Sequence, residues 1–359
     1  MVIAMTVVSV TLATPAAADW DRFRADAQQT GVATGSLAAT LEPVWTHRMA
    51  EGVETTAAIV DGRVFVGDLA GNFSSLSLAT GEPAWTVALE EEIKSSPLVH
   101  GDTVYFGDEL GRVHGLAIAD GTTRFVFEAG GPVTGAPNLG GNCLLFGSYD
   151  NHVYCIDPTS GKERWKVETQ GYVHGSPAVA GDVALISGCD GFVRWIALDD
   201  GTERARLDIG SYVAASPVIV AGHAIFGTFD NQVVAVDLET RAEAWRYTSD
   251  RAFPFYSSPA SDGETLFLGG RDKRLHALDV ASGEARWIER FRARVDASPA
   301  LVGEHVAAAD ESGILRLVST GDGSTVWEFE GADGFAASPA VADGRLVIGA
   351  VDGTVYAFA

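Results

Sequence analysis

Residues 96–128 read Ser96-Pro97-Leu98-Val99-His100-Gly101-Asp102, Thr103-Val104-Tyr105-Phe106-Gly107-Asp108-Glu109-Leu110-Gly111-Arg112, Val113-His114-Gly115-Leu116-Ala117-Ile118-Ala119-Asp120-Gly121-Thr122, and Thr123-Arg124-Phe125-Val126-Phe127-Glu128. Four short runs rich in β-branched and aromatic residues alternate with turns built on Gly and Asp, which is the pattern of four strands joined by tight reversals. The strands fall at Ser96–Val99, Thr103–Gly107, Val113–Ile118 and Thr123–Glu128. Nine residues after Glu128 the opening step, a small residue before proline, returns at Ala136-Pro137.

That return is periodic. The proline marker falls at Pro97, Pro137, Pro177, Pro217, Pro259, Pro299 and Pro339, with spacings of 40 residues broken once by 42. An aromatic after a Gly-containing turn keeps the same beat at Trp45, Trp85, Phe125, Trp165, Trp245, Trp287 and Trp327, with Ala205 in the slot between Trp165 and Trp245. Asp150-Asn151, Asp190-Gly191, Asp230-Asn231 and Asp352-Gly353 fill the second turn of their copies, and these pairs tolerate the positive φ of a two-residue hairpin. Four strands per repeat of about 40 residues is the signature of a β-propeller blade, whose ring leaves only short protected edges. Helical solenoids are excluded by the period-two strands.

Ala57 takes the proline slot 40 residues before Pro97, so the count gives seven full units and a last unit, 337–359, of three strands. Its missing outer strand is Glu42-Pro43-Val44-Trp45-Thr46, because Trp45 belongs to the aromatic series. The expected fold is an all-β, eight-bladed propeller of four-stranded antiparallel blades over residues 41–359, closed by pairing the N-terminal strand with the last blade. Closure of this kind hides the open sheet edges that the two termini would expose. Residues 19–40 are expected to be an irregular lead-in packed on one face.

Acidic residues outnumber Lys plus Arg by 48 to 25, a net charge of -23 that repels phosphate backbones, so nucleic acid is not an expected partner. Residues 1–18 carry no charge, and the apolar run Val2–Leu12 leads to Ala16 and Ala18, which fit the small-residue cleavage rule. This reads as a signal peptide cut before Asp19 that lacks the usual basic start, and the run is too short to span a membrane. The expected location is the periplasm or outside the cell, as a monomer. Cys143, Cys155 and Cys189 share no metal-ligand spacing and are expected as free buried thiols, the alternative being a disulfide permitted by export.

Asp157-Pro158-Thr159-Ser160-Gly161-Lys162-Glu163-Arg164-Trp165, repeated as Asp279-Val280-Ala281-Ser282-Gly283-Glu284-Ala285-Arg286-Trp287, resembles the tryptophan-docking repeat of the PQQ-like, quinoprotein-type propeller family, which includes the BamB-type outer-membrane assembly factors. The lead-in Asp19-Trp20-Asp21-Arg22-Phe23-Arg24-Ala25-Asp26 is similar to the segment before the propeller in such proteins. The resemblance implies the fold, a structural role for the repeated tryptophans, and two possible kinds of work: partner binding in the cell envelope, or a quinone held over Ca²⁺. For the latter the family uses a disulfide between adjacent cysteines, which this chain lacks. The BamB-type comparison also implies a lipid-anchored cysteine after the signal segment, and none follows Ala18. At Ala205, where the tryptophan is missing, Trp195 on the neighbouring strand is expected to fill the gap.

Function is expected where the repeat is broken. Three residues before the proline marker the ring reads Glu54, Lys94, Thr134, His174, Ala214, Tyr256, Asp296 and Ala336, converging on one channel mouth. Glu54, Lys94, His174, Tyr256 and Asp296 are the candidate ligand residues, against the alternative of a merely solvated channel. The 42-residue spacing creates Asp250-Arg251-Ala252-Phe253-Pro254-Phe255-Tyr256. With Tyr172 and Tyr212 on the two preceding loops, and Arg292 and Arg294 on the next, Phe253 and Phe255 form a candidate partner-binding aromatic face, against the alternative of loop packing.

The chain contains no G-x-S-x-G, no H-E-x-x-H, no C-x-x-C-H and no D-x-D-x-D-G calcium loop, so no catalytic or metal-ligating residue is assigned and no cofactor is expected. The leading expectation is a non-catalytic exported scaffold that binds other envelope proteins. Alternatives are a small-ligand or PQQ-binding propeller using the channel mouth, and a carbohydrate-binding or sensor module.

Overall fold

In the computed structural model, residues 19–359 are described; the segment read as a signal peptide lies outside them. Among the described residues thirty-two strands make eight four-stranded antiparallel sheets, seven of them in simple sequential order and the eighth closed by the first strand against the last. Blades 1 to 7 occupy 58–88, 98–128, 138–168, 178–208, 218–248, 260–290 and 300–330. Blade 8 combines three C-terminal strands with Pro43–Arg48, which pairs with Thr354–Phe358 in the register Trp45↔Ala357 and His47↔Val355. The innermost strands of blades 8 and 1 are neighbours, so the ring is closed. No helix among the described residues is long and apolar enough to cross a membrane.

The core lies between blades. Leu185 and Val193 of blade 4, for example, interlock with Ala224, Phe226 and Val234 of blade 5, all fully buried. Each outer strand pairs with its neighbour through one register shift beside the docking aromatic, as between Cys155 and Ile156 opposite Trp165. A bulge there increases the local twist and swings the aromatic across to the next blade.

Trp165 then lies on Gly201 of blade 4, where an added Cβ would come within 2.8 Å of the indole, and its Nε1–H donates to the Leu198 carbonyl at 3.0 Å. Trp45, Trp85, Trp245 and Trp287 do the same with Gly81, Gly121, Gly283 and Gly323. Phe125 lacks the N–H, and the Tyr105 hydroxyl donates in its place to the Pro158 carbonyl at 3.0 Å. At the Ala205 junction the glycine is also gone: Arg241 holds its place at φ 58°. Trp195 pairs directly with Ala205 and is buried among Ile219, Val234 and Val236, so it fills the apolar gap, although its indole nitrogen finds no partner.

The lead-in crosses the other end of the ring from the turns that carry Glu54 to Ala336. Trp20 exchanges backbone hydrogen bonds with Ile59, and carbonyls from Asp21, Ala27, Gln28, Thr30 and Gly31 accept from Val99, Val179, Ile219, Ser261 and Leu301 on the inner strands. One segment therefore ties six blades together and closes that end of the channel.

Cys143 and Cys155 correct the expectation of free thiols. They lie diagonally across adjacent strands of blade 3, where Cys155 is in register with Leu145, with Cα atoms 5.3 Å apart, and form a disulfide; Cys189 is free. The repeat register, which sets these two strands side by side, is what brings them together.

A polar cavity at the open end of the channel

The eight positions three residues before the proline marker all line one cavity of about 620 Å³ on the ring axis. They gather because each stands at the entry to an innermost strand. A second ring with the same period, in the hairpin between the two middle strands, adds Glu109, Tyr149, Arg271 and Glu311. The sequence reading missed these, although the same comb of 40 residues runs through them. Each is fixed by its backbone N–H, which donates to the preceding inter-blade loop, as from Tyr149 to Pro132 and from Arg271 to Pro254.

Below these rings lies a belt of small hydroxyls one residue before the proline marker. Ser96, Ser176, Ser216, Ser258, Ser298 and Ser338 each accept a backbone N–H from the preceding blade, at 2.8–2.9 Å. All six are at least nine-tenths buried, line the cavity, and have no acceptor for the hydroxyl hydrogen among the described residues. Phe23 of the lead-in lines the same cavity from the closed end.

One wall is aromatic. His174 faces Tyr149 Oη through Nδ1 at 2.5 Å and Tyr256 Oη through Nε2 at 3.1 Å. Burial lowers its pKa and raises those of both tyrosines, so the triad is neutral near pH 7. A neutral imidazole donates from one nitrogen and accepts at the other, leaving one tyrosine hydroxyl with a proton for a further acceptor. Tyr149 also stacks on Tyr172 with centroids 4.9 Å apart, and Phe229 meets Tyr256 edge-on at 6.0 Å, which carries the aromatic wall out to the rim.

The lining on either side of it is ionic. Arg271 grips Asp296 through two nitrogens at 2.8–3.1 Å while lying 4.5 Å over the Tyr256 ring. Lys94 bridges Glu92 at 2.9 Å and Glu109 at 3.7 Å. Burial works against the Lys94 ammonium, but Glu92, Glu109 and Glu54 outweigh it and raise its pKa. Burial also raises the Glu109 pKa, and its Oε1 is buried without a partner.

The expected aromatic face needs correction. Tyr172, Tyr212 and Phe253 are 53%, 61% and 51% exposed and Phe229, which the sequence reading passed over, is 37% exposed. Phe255 is 1% exposed and packs edge-on to His276 at 5.0 Å. Its place in the repeat is the buried apolar position of Val53, Ile93, Val173, Val213 and Val295, so the insertion displaced only what precedes it. Arg292 and Arg294 are paired with Glu330 and Glu311 of blade 7 instead of standing over aromatic rings.

Blades docked by tryptophan onto glycine around a closed eightfold ring define a propeller of the PQQ-type repeat class. The family model described as outer membrane protein assembly factor BamB matches residues 31–146, 127–228, 149–290 and 230–359, and the chain belongs to that family. It is 30% identical over 131 residues to the BamB of Salmonella typhimurium and 33% identical over 135 residues to that of Burkholderia pseudomallei, in each case over 36% of this chain. These matches span 32% and 34% of the relatives' own lengths. Among solved structures, BamB from Moraxella catarrhalis covers 89% of this chain and 97% of its own at TM-score 0.75 and 18% identity. Quinohemoprotein alcohol dehydrogenase from Comamonas testosteroni covers 95% of this chain and 80% of its own at 0.80 and 13%. A europium-containing methanol dehydrogenase covers 95% of this chain and 98% of its own at 0.82 and 10%. At these identities the structural likeness shows the fold alone.

The residues do not fit a calcium-held quinone. Among the described residues no three His, Cys, Asp or Glu side chains converge as metal ligands. Asp296 and Glu109 are engaged by Arg271 and Lys94, and the disulfide joins cysteines 12 residues apart inside blade 3.

Proposed function

We propose that this chain is an exported, non-catalytic propeller that serves as a protein-binding scaffold in the assembly of outer-membrane proteins. Family membership supports the setting, and one observation carries the scaffold role. On a surface dominated by carboxylates, Tyr172, Tyr212, Phe229 and Phe253 remain exposed on consecutive loops of one sector of the mouth. Large aromatics left in water at a rim are what interface hot spots are made of. Among the described residues no group of three His, Cys, Asp or Glu side chains that could hold a metal accompanies them.

The test is complementation. In a strain lacking the gene, wild-type chain restores outer-membrane protein content, and a Tyr212→Ser/Phe253→Ser variant of equal abundance and melting temperature does not. Full rescue by that variant overturns the assignment of the face.

A further inference from the structure

The charge around the cavity changes sign along the ring axis, with Arg24 sealed in the lead-in next to Phe23 and outside the cavity lining. At the closed end Arg24 is fully buried and uses Nη2 to donate to the Pro259 carbonyl at 2.8 Å, while Nε and Nη1 have no partner. Asp26, the carboxylate whose charge it feels, is spent on Thr30. Burial lowers the Arg24 pKa only to about 9, so it stays cationic at neutral pH. A guanidinium taken out of water with donors unmet is a standing demand for an anion. Its carbon lies 5.9 Å from the Phe23 ring that lines the cavity, and on the cavity side stands the serine belt with six hydroxyl hydrogens to give.

At the open end the balance is reversed. Asp296 and Glu311 are neutralised by Arg271 and Arg294, but Glu92 and Glu109 share Lys94, and Glu54 makes no ion pair among the described residues and feels Lys94 only at longer range. Five carboxylates thus face three cations, and Glu109 Oε1 is buried without a donor. Between the ends stands the neutral aromatic wall of Tyr149, His174 and Tyr256. Hydroxyl donors at the floor, with the Arg24 charge sealed behind them, unmet carboxylates at the mouth and aromatic rings between complement a dipolar molecule with an apolar side.

We infer that this cavity binds a zwitterion of the amino-acid class, as a free amino acid or a short peptide with both ends charged. Its carboxylate meets the serine belt on the Arg24 side, its ammonium meets Glu54 and Glu109, and its side chain lies along Tyr149 and Tyr256. The inference is independent of the rim's protein-binding role.

The experiment is calorimetric titration of the chain with L-phenylalanine and with glycyl-phenylalanine, each beside its C-terminal amide and its N-acetyl derivative. At least one zwitterion binds saturably, and removing either charge weakens binding about tenfold, the worth of a charge-assisted hydrogen bond. Whichever parent binds tighter identifies the natural source as free amino acid or peptide. Arg24→Met collapses the preference for carboxylate over amide while keeping that for amine over acetyl, and Glu54→Gln/Glu109→Gln does the reverse. If Arg24→Met fails to fold, Ser258→Ala/Ser298→Ala carries the carboxylate test. Lys94→Gln, which frees Glu109, tightens the parent. Absence of heat from both zwitterions, or equal binding of parent and derivatives, overturns the inference.

Discussion

The outer and inner rings of this propeller share one beat of about 40 residues and treat variation in opposite ways. On the outer ring a missing piece is compensated: Phe125 loses an indole N–H and Tyr105 supplies the donor, while Ala205 loses an indole and both Trp195 and Arg241 change with it. On the inner ring the same backbone presents Glu54, Lys94, His174, Tyr256 and Asp296 in succession, and no inner position restores what its neighbour lacks. A side chain that must lie on the next blade is held to one shape, whereas one that faces a wet channel is free to carry chemistry.

The largest effect that sharpens this contrast lies outside. Trp165→Ala removes a side chain only 8% exposed together with its bond to Leu198, and should cost about 3–5 kcal/mol, read as a shift in the denaturation midpoint. Amino-acid binding in the cavity should be unchanged in whatever fraction remains folded. Gly201→Ala attacks the same junction from the other blade. It forces a Cβ onto φ +75° and into the Trp165 ring, for about 1–3 kcal/mol.

The odd junction breaks the contrast from the opposite side. Ala205→Trp should destabilise by about 1–3 kcal/mol, because Trp195 and Arg241 already occupy the space an indole would take. Adding Arg241→Gly and Trp195→Ala should recover most of that loss, a coupling visible as non-additive midpoints. Additive shifts would mean that the three positions vary independently.

Much of this was legible beforehand because the outer ring writes its constraint into the sequence. Trp45 marked the closing strand, and the Ala205 gap pointed to Trp195. The eight mouth positions were found by the same comb. What escaped was of two kinds. Tyr149, Glu109 and Arg271 obey the comb but sit beside hairpin residues that read as turn chemistry, so their approach to the axis shows only in three dimensions. Phe255 was misplaced because a cluster of aromatics in an insertion looks like a surface loop, although counting back from Pro259 puts it on the buried position of Val213 and Val295. The Cys143–Cys155 pairing depends on strand register across a hairpin, which spacing alone leaves open.

Smaller effects come from the inner ring. His174 has a folded-state pKa below its ordinary value near 6.5, owing to burial. The unfolded chain then binds the proton more readily than the folded one, so stability present above about pH 6.5 is lost as pH falls toward the folded pKa. His174→Gln, which still offers a donor and an acceptor to Tyr149 and Tyr256, should flatten that part of the pH–stability curve. An unchanged slope would place the acid sensitivity elsewhere.

The smallest stability change should come from Glu54→Gln, within about 0.5 kcal/mol, since Glu54 is exposed, makes no bond, and repels Glu109 through space. Its consequence should instead be electrostatic. With one like charge gone, the Glu109 pKa should move down toward its ordinary value and that of Lys94 should fall as well, both measurable by NMR titration. A residue whose removal leaves the fold alone but retunes its neighbours across the channel marks the inner ring as a shared electrostatic site. If Glu54→Gln destabilised the propeller as Trp165→Ala does, the separation between a ring that holds the molecule together and a ring that meets a ligand would fail at its plainest point.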